Sequence, residues 1–141
     1  MKKIEDLIRK ESSSAERCEK TLAVLHEILT PNGSLVEIDS LDVEAAFEAG
    51  SEIMSMDLNV QGHEGKRMLQ LVDLLKAELT DCSKVRSLVV RIFCPKDEEI
   101  TMDEMGDISQ ALNTLLPDAN VVWGLSYTEK GSALRIAMLY Q

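Results

Sequence analysis

Aromatic side chains are scarce: one Trp, two Tyr and two Phe make up 4% of the 141 residues. A core here must be filled by Leu, Val, Ile and Met. The seven glycines are never adjacent, and neither G-x-x-x-x-G-K-[ST] nor G-x-G-x-x-G occurs. The sequence therefore offers no loop that closes main-chain N–H groups around a phosphate. Cysteine is limited to Cys18, Cys82 and Cys94. The odd count, the wide spacing and the lack of C-x-x-C point to free thiols in a reducing compartment. The two histidines, His26 and His63, sit in no H-E-x-x-H and no Cys/His cluster, so no metal and no cofactor is expected. No apolar run approaches the ~18 residues of a membrane span. Met1-Lys2-Lys3-Ile4-Glu5-Asp6 turns acidic at once and lacks a signal core, so the cytoplasm is the expected location. Basic charge is in deficit, with 15 Lys+Arg against 25 Asp+Glu and a formal charge of −10. Such a chain repels phosphate backbones and anionic lipid, which argues against nucleic-acid and membrane-surface partners.

What is present is a globular composition, 45% apolar, of a length that suits one domain. Ile4, Leu7 and Ile8 mark a short amphipathic helix over residues 2–10. Ser13 followed by Glu16 fits a capping box for a second helix striped by Cys18, Leu22, Leu25 and Leu29, stopped by Pro31-Asn32-Gly33. Leu35-Val36-Glu37-Ile38 is a brief extended piece. Asp39 is placed to cap a short helix ending near Gly50, with Asp42 a favourable charge in its first turn. Residues 51–58 alternate as a strand. Gly62 to Leu79 is a long helix with Met68, Leu71, Val72, Leu75 and Leu79 inward and Lys66, Arg67 and Gln70 on the polar side. Ser87 to Cys94 is a nearly continuous apolar run, as a central strand requires. Thr101-Met102-Asp103-Glu104 is a capping box for a helix whose inward residues are Met102, Met105, Ile108, Leu112 and Leu115. Within residues 117–129 a β-branched and aromatic run follows Pro117, and after a turn at Glu129-Lys130-Gly131 a second strand runs from Ala133 to Tyr140, which predicts a hairpin.

This order predicts an α/β (α+β) fold: a two-layer sandwich with a four-stranded mixed sheet and two long helices on one face, preceded by N-terminal helices. The division expected is a helical extension over 1–30 and a domain over 31–141. Both faces of the last strands are apolar. Val89, Arg91 and Phe93 alternate onto one face, and Val121, Trp123, Leu125 and Tyr127 share one. We place these residues on the sheet face away from the long helices, with Trp123 and Tyr127 against residues 13–29 or another subunit; residues 1–29 give partial cover and the remainder forms an association surface.

Three segments resemble a known family. Pro117-Asp118-Ala119-Asn120-Val121-Val122-Trp123-Gly124 is similar to P-x-A-N-I-I-F-G near the end of the C-terminal domain of FtsZ, the bacterial tubulin-like division GTPase. Ser34-Leu35-Val36-Glu37-Ile38-Asp39-Ser40-Leu41-Asp42-Val43 resembles the family's G-L-I-N-V-D-F-A-D-V loop, with Glu37 in place of the asparagine. Residues 95–105 resemble G-G-x-D-L-S/T-x-x-E-V. The resemblance covers residues ~20 to 141, without the G-G-G-T-G-[ST]-G phosphate loop. It implies a non-catalytic FtsZ C-terminal-like domain acting by protein contact in cell division, as a homo-oligomer or on a tubulin-like GTPase. In that family the loop aspartates reach the next subunit's nucleotide site. The resemblance thus gives Glu37, Asp39 and Asp42 a role in trans, while the residues alone are explained as helix caps. An alternative is a small-molecule- or cation-binding, even enzymatic, oligomeric domain, motivated by the carboxylates of that loop.

Overall fold

The computed structural model describes residues 2–29, 34–61, 66–80, 84–128 and 133–141. Pro31-Asn32-Gly33, Gly62, His63, Cys82 and the Glu129-Lys130-Gly131 turn lie outside these residues. The elements are α1 (Lys2–Glu11), α2 (Ala15–Leu29), β1 (Ser34–Val36), α3 (Ser40–Ala46), β2 (Met54–Val60), α4 (Arg67–Glu78), β3 (Ser87–Cys94), α5 (Met102–Leu115), β4 (Asn120–Tyr127) and β5 (Leu134–Tyr140).

Among the described residues the sheet has five strands in the order β1-β4-β3-β5-β2, one more than the sequence predicts. The extra strand is the extended piece at 34–36, paired antiparallel to β4. β3 and β4 are parallel, joined by the α5 crossover. β5 is antiparallel to both β3 and β2. The expected β4–β5 hairpin is therefore absent as a pairing: β5 crosses past β3 and inserts between β3 and β2. Burial explains the choice. β3 and β5 are buried along nearly their whole length, whereas β4 and β2 are mixed. The two most apolar strands take the centre, where both faces are covered.

Two cores flank the sheet. On one side α4 and α5 bring Met68, Leu71, Leu75, Ile108 and Leu112 against Leu88, Val90, Ile92, Ile136 and Met138. On the other, Ile4, Ile8, Val24, Leu25, Ile28, Val43 and Phe47 pack on Val89, Phe93, Ala137 and Leu139. The expected two-layer sandwich is thus three layers. α1, α2 and α3 together close the face that α1 and α2 were expected to cover only in part.

The caps follow local chemistry. Thr101 Oγ1 accepts from Glu104 N at 3.1 Å while Glu104 Oε1 accepts from Thr101 N at 3.0 Å, the predicted reciprocal box. At α2 the cap is Ser14, not Ser13: Ser14 Oγ accepts from Arg17 N at 3.1 Å, and Ser13 N donates to Glu52 Oε2 at 2.8 Å. Two other expectations fail by helix position. Met102 is 87% exposed, because it precedes the inward stripe of α5 at the helix start. Arg67 is 3% exposed rather than solvated, because Glu104 and three carbonyls receive its guanidinium.

Candidate interaction site

The site is the corner where β1 turns into α3. β1 lies at the sheet edge, with Val36 opposite Leu125 of β4. The chain then descends through Ile38, half-buried in the α1–α3 core. Asp39, with an extended backbone, ends the turn as N-cap of α3: its Oδ1 accepts from Leu41 N at 2.9 Å. Val43 and Phe47, both nearly inaccessible, pin α3 to the sheet.

This pinning forces apolar side chains outward. Leu41 and Val43 are two apart, about 200° around a helix, so one must face water if the other is buried. Leu41 is 69% exposed, and Leu35 and Val36 are about as open as each other at 39% and 44%. Among the described residues, three of the six exposed large apolar side chains fall within residues 35–41. Glu37, Asp39 and Asp42, all exposed, are interleaved with them. Three open apolar side chains and three carboxylates therefore share the short segment 35–42, with Leu35 and Val36, consecutive in β1, on opposite sides of the strand.

Below it lies Arg91, 1% exposed. Burial pushes its guanidinium pKa down, and the nearby charge of Glu37 acts in the opposite direction. Asp39 is the N-cap that the sequence predicts and Asp42 lies in the first turn of α3, with Glu37 just after β1. The sequence reading singled out the carboxylates and missed the apolar trio, for which the Leu41/Val43 spacing was the available signal.

The predicted association face does not exist as one surface. The parallel register sets Leu88, Val90, Ile92 and Cys94 beside Val121, Trp123, Leu125 and Tyr127. Val121, Trp123, Leu125 and Tyr127 therefore lie half-buried on the α4/α5 side. Val89, Arg91 and Phe93 point the other way, buried under the N-terminal helices and the corner. Trp123 and Tyr127 thus face the long helices, contrary to expectation. Alternation gives the residues that share a face within one strand, but the register between strands decides which faces coincide.

Arg135 pairs with Asp57 at 3.0 and 2.7 Å and with Glu27 at 3.4 Å, tying β5 to β2 and α2. Cys94 is buried, which pushes its thiol pKa up and removes nucleophilic character, as a core cysteine should behave. Among the described residues no group of three His, Cys, Asp or Glu is arranged to hold a metal. None of their helices is long and apolar enough to cross a membrane. A cavity of about 580 Å³ lies at the far end of β4, lined by Lys84, Arg86, Asn120 and Gln141 among others. It includes none of Glu37, Asp39 and Asp42.

No family model matches the chain, and no curated protein matches it. Solved structures do. An empty FtsZ dimer from M. jannaschii superposes with a TM-score of 0.65 at 22% identity, over 89% of this chain and 36% of that one. A tryptophan-to-tyrosine FtsZ mutant from the same organism gives 0.64 at 20% identity, over 92% and 41%. The chain has the fold of part of FtsZ, in line with the resemblance of residues 20–141 to its C-terminal domain. It spans about two fifths of the length of those FtsZ chains.

Proposed function

We propose that this chain is a non-catalytic interaction domain that docks on a tubulin-like GTPase through the β1–α3 corner. The observation that carries this reading is that Leu35, Val36 and Leu41 are all open to water within one short edge segment that also carries the exposed Glu37, Asp39 and Asp42. Isolated surface apolars need no explanation, but several in one short segment, interleaved with one sign of charge, suit contact with a partner. The partner surface should bring apolar side chains to the trio and cations to the carboxylates. The FtsZ-like fold, together with the FtsZ dimer among the similar structures, favours a protein of that family as the partner. Asp39 is engaged as a helix cap, so its role in this reading is to fix the corner's shape.

The test is co-sedimentation of the purified chain with an FtsZ-type polymer, read alongside the polymer's GTPase rate. The comparison is Val36→Asp/Leu41→Glu, which alters side chains already open to water. Completing the burial of Leu41 contributes about 1–2 kcal/mol, so the double variant should weaken binding by roughly tenfold or more. If the chain neither binds nor alters the polymer, the proposal fails.

A further inference from the structure

Arg91 sits in the middle of β3, and its side chain reaches out under the corner. Its Nε donates to the carbonyl of Ile28, in the last turn of α2, at 2.7 Å. Its Nη1 donates to Ser126 Oγ at 2.6 Å and to the carbonyls of Val36 at 3.3 Å and Leu125 at 3.4 Å. One guanidinium thus holds acceptors on α2, β1 and β4. Gly124 lies beside Arg91 in the parallel register. A Cβ there would come within 2.5 Å of Ile38 Cγ1, 2.7 Å of Ile38 Cδ1 and 3.1 Å of Arg91 Cζ. The space left by the missing side chain is filled by Ile38, with the guanidinium against it.

A buried cation is costly, and an apolar side chain of the same volume would fill this space without that cost. What an apolar side chain lacks is a planar fork that fixes several acceptors relative to one another. We infer that Arg91 is a positioning residue that couples the last turn of α2 to the docking corner. Displacing either end breaks bonds that the same guanidinium makes to the other. If α2 shifts, the Val36 carbonyl loses its fixed donor, and the set of Leu35, Val36 and Glu37 changes with it. The use made of this coupling rests on the docking reading above; the coupling itself needs no partner.

Amide hydrogen exchange on the full chain, without partner, tests it. Arg91→Met should lower protection about tenfold or more both in the last turn of α2 and over residues 36–43, with α4 and α5 changed by less than about threefold. Gly124→Ala keeps the arginine and displaces Ile38, and it should loosen the same two segments. Arg91→Lys keeps the charge without the fork and should not restore them. Asp39→Ala, which removes only the cap, should affect the start of α3 and leave α2 unchanged. The inference is overturned if Arg91→Met loosens one segment only, or loosens α4 and α5 equally, or if Gly124→Ala leaves both segments as in the unaltered chain. Should Arg91→Met fail to fold, Gly124→Ala decides alone. Coupling intact without polymer binding would refute the docking reading and leave this one standing.

Discussion

Glu104→Gln should destabilise the chain by about 3 kcal/mol at neutral pH, and the deficit should close in acid. Glu104 Oε2 accepts from Arg67 Nε at 2.7 Å and Oε1 from Arg67 Nη2 at 2.8 Å. The Arg67 side chain is 3% exposed and that of Glu104 17%. Removing one partner of a buried, two-pronged pair costs about 3–5 kcal/mol, because the other charge stays behind. Here Arg67 keeps the carbonyls of Glu98, Glu99 and Ala133, which places the loss at the lower end of that range. The bond from Thr101 N to Oε1 passes to the glutamine oxygen, so the helix cap adds little to the difference. In a chain of this size about 3 kcal/mol lowers Tm by roughly 10 °C.

The pH dependence follows from the sign of the shift. The hydrogen bonds from Arg67, more than any other cause, hold the Glu104 carboxyl below its ordinary range, against the desolvation that raises it. A carboxylate depressed in the folded state contributes stability that is complete above its unfolded pKa, about 4.3, and that is lost as pH falls through the folded value. Urea unfolding of the original chain and of Glu104→Gln, from about pH 7 to about pH 3, should therefore show two midpoints that converge below about pH 4. A deficit under about 1 kcal/mol at pH 7 would show that the pair contributes no more than a surface contact. A deficit that stays constant into acid would show that packing, not charge, is responsible.

Two further outcomes bear on the parts that frame the corner. Ile28→Ala, at a fully buried position between α2 and β3, should cost about 3 kcal/mol, seen as a lower urea midpoint at unchanged m; a loss below about 1 kcal/mol would mean that α2 adds little to the core. Asp39→Ala should cost about 1 kcal/mol by the same measurement, the loss of one N-cap, and an unchanged midpoint would deny that the carboxylate caps α3.

Local pattern was enough for most elements of this fold, the edge strand β1 excepted. The inward stripe of α4, the doubly buried β3, the Thr101–Glu104 box and the Asp39 cap all follow from spacing and side-chain chemistry within a few residues. The likeness to FtsZ was legible on the same terms, in short segments whose order the structure reproduces. Sequence alone also gave Asp42 as a charge in the first turn of the helix that Asp39 caps.

Only the assembled sheet decided the rest. Which strand neighbours which depends on competition for the two-sided centre, and β5 wins a place there that a hairpin reading denies it. Register then sets Trp123 beside Val90 and turns the expected association face toward α4 and α5. Arg91 reads as a polar interruption in an apolar strand until α2, β1 and β4 bring their acceptors to it from residues 28, 36, 125 and 126. Period-two and helical patterns constrain a residue against its neighbours along the chain. Contacts between elements far apart in sequence are set by where those elements come to rest, and in this protein those contacts turn a capped acidic loop into a fixed apolar corner.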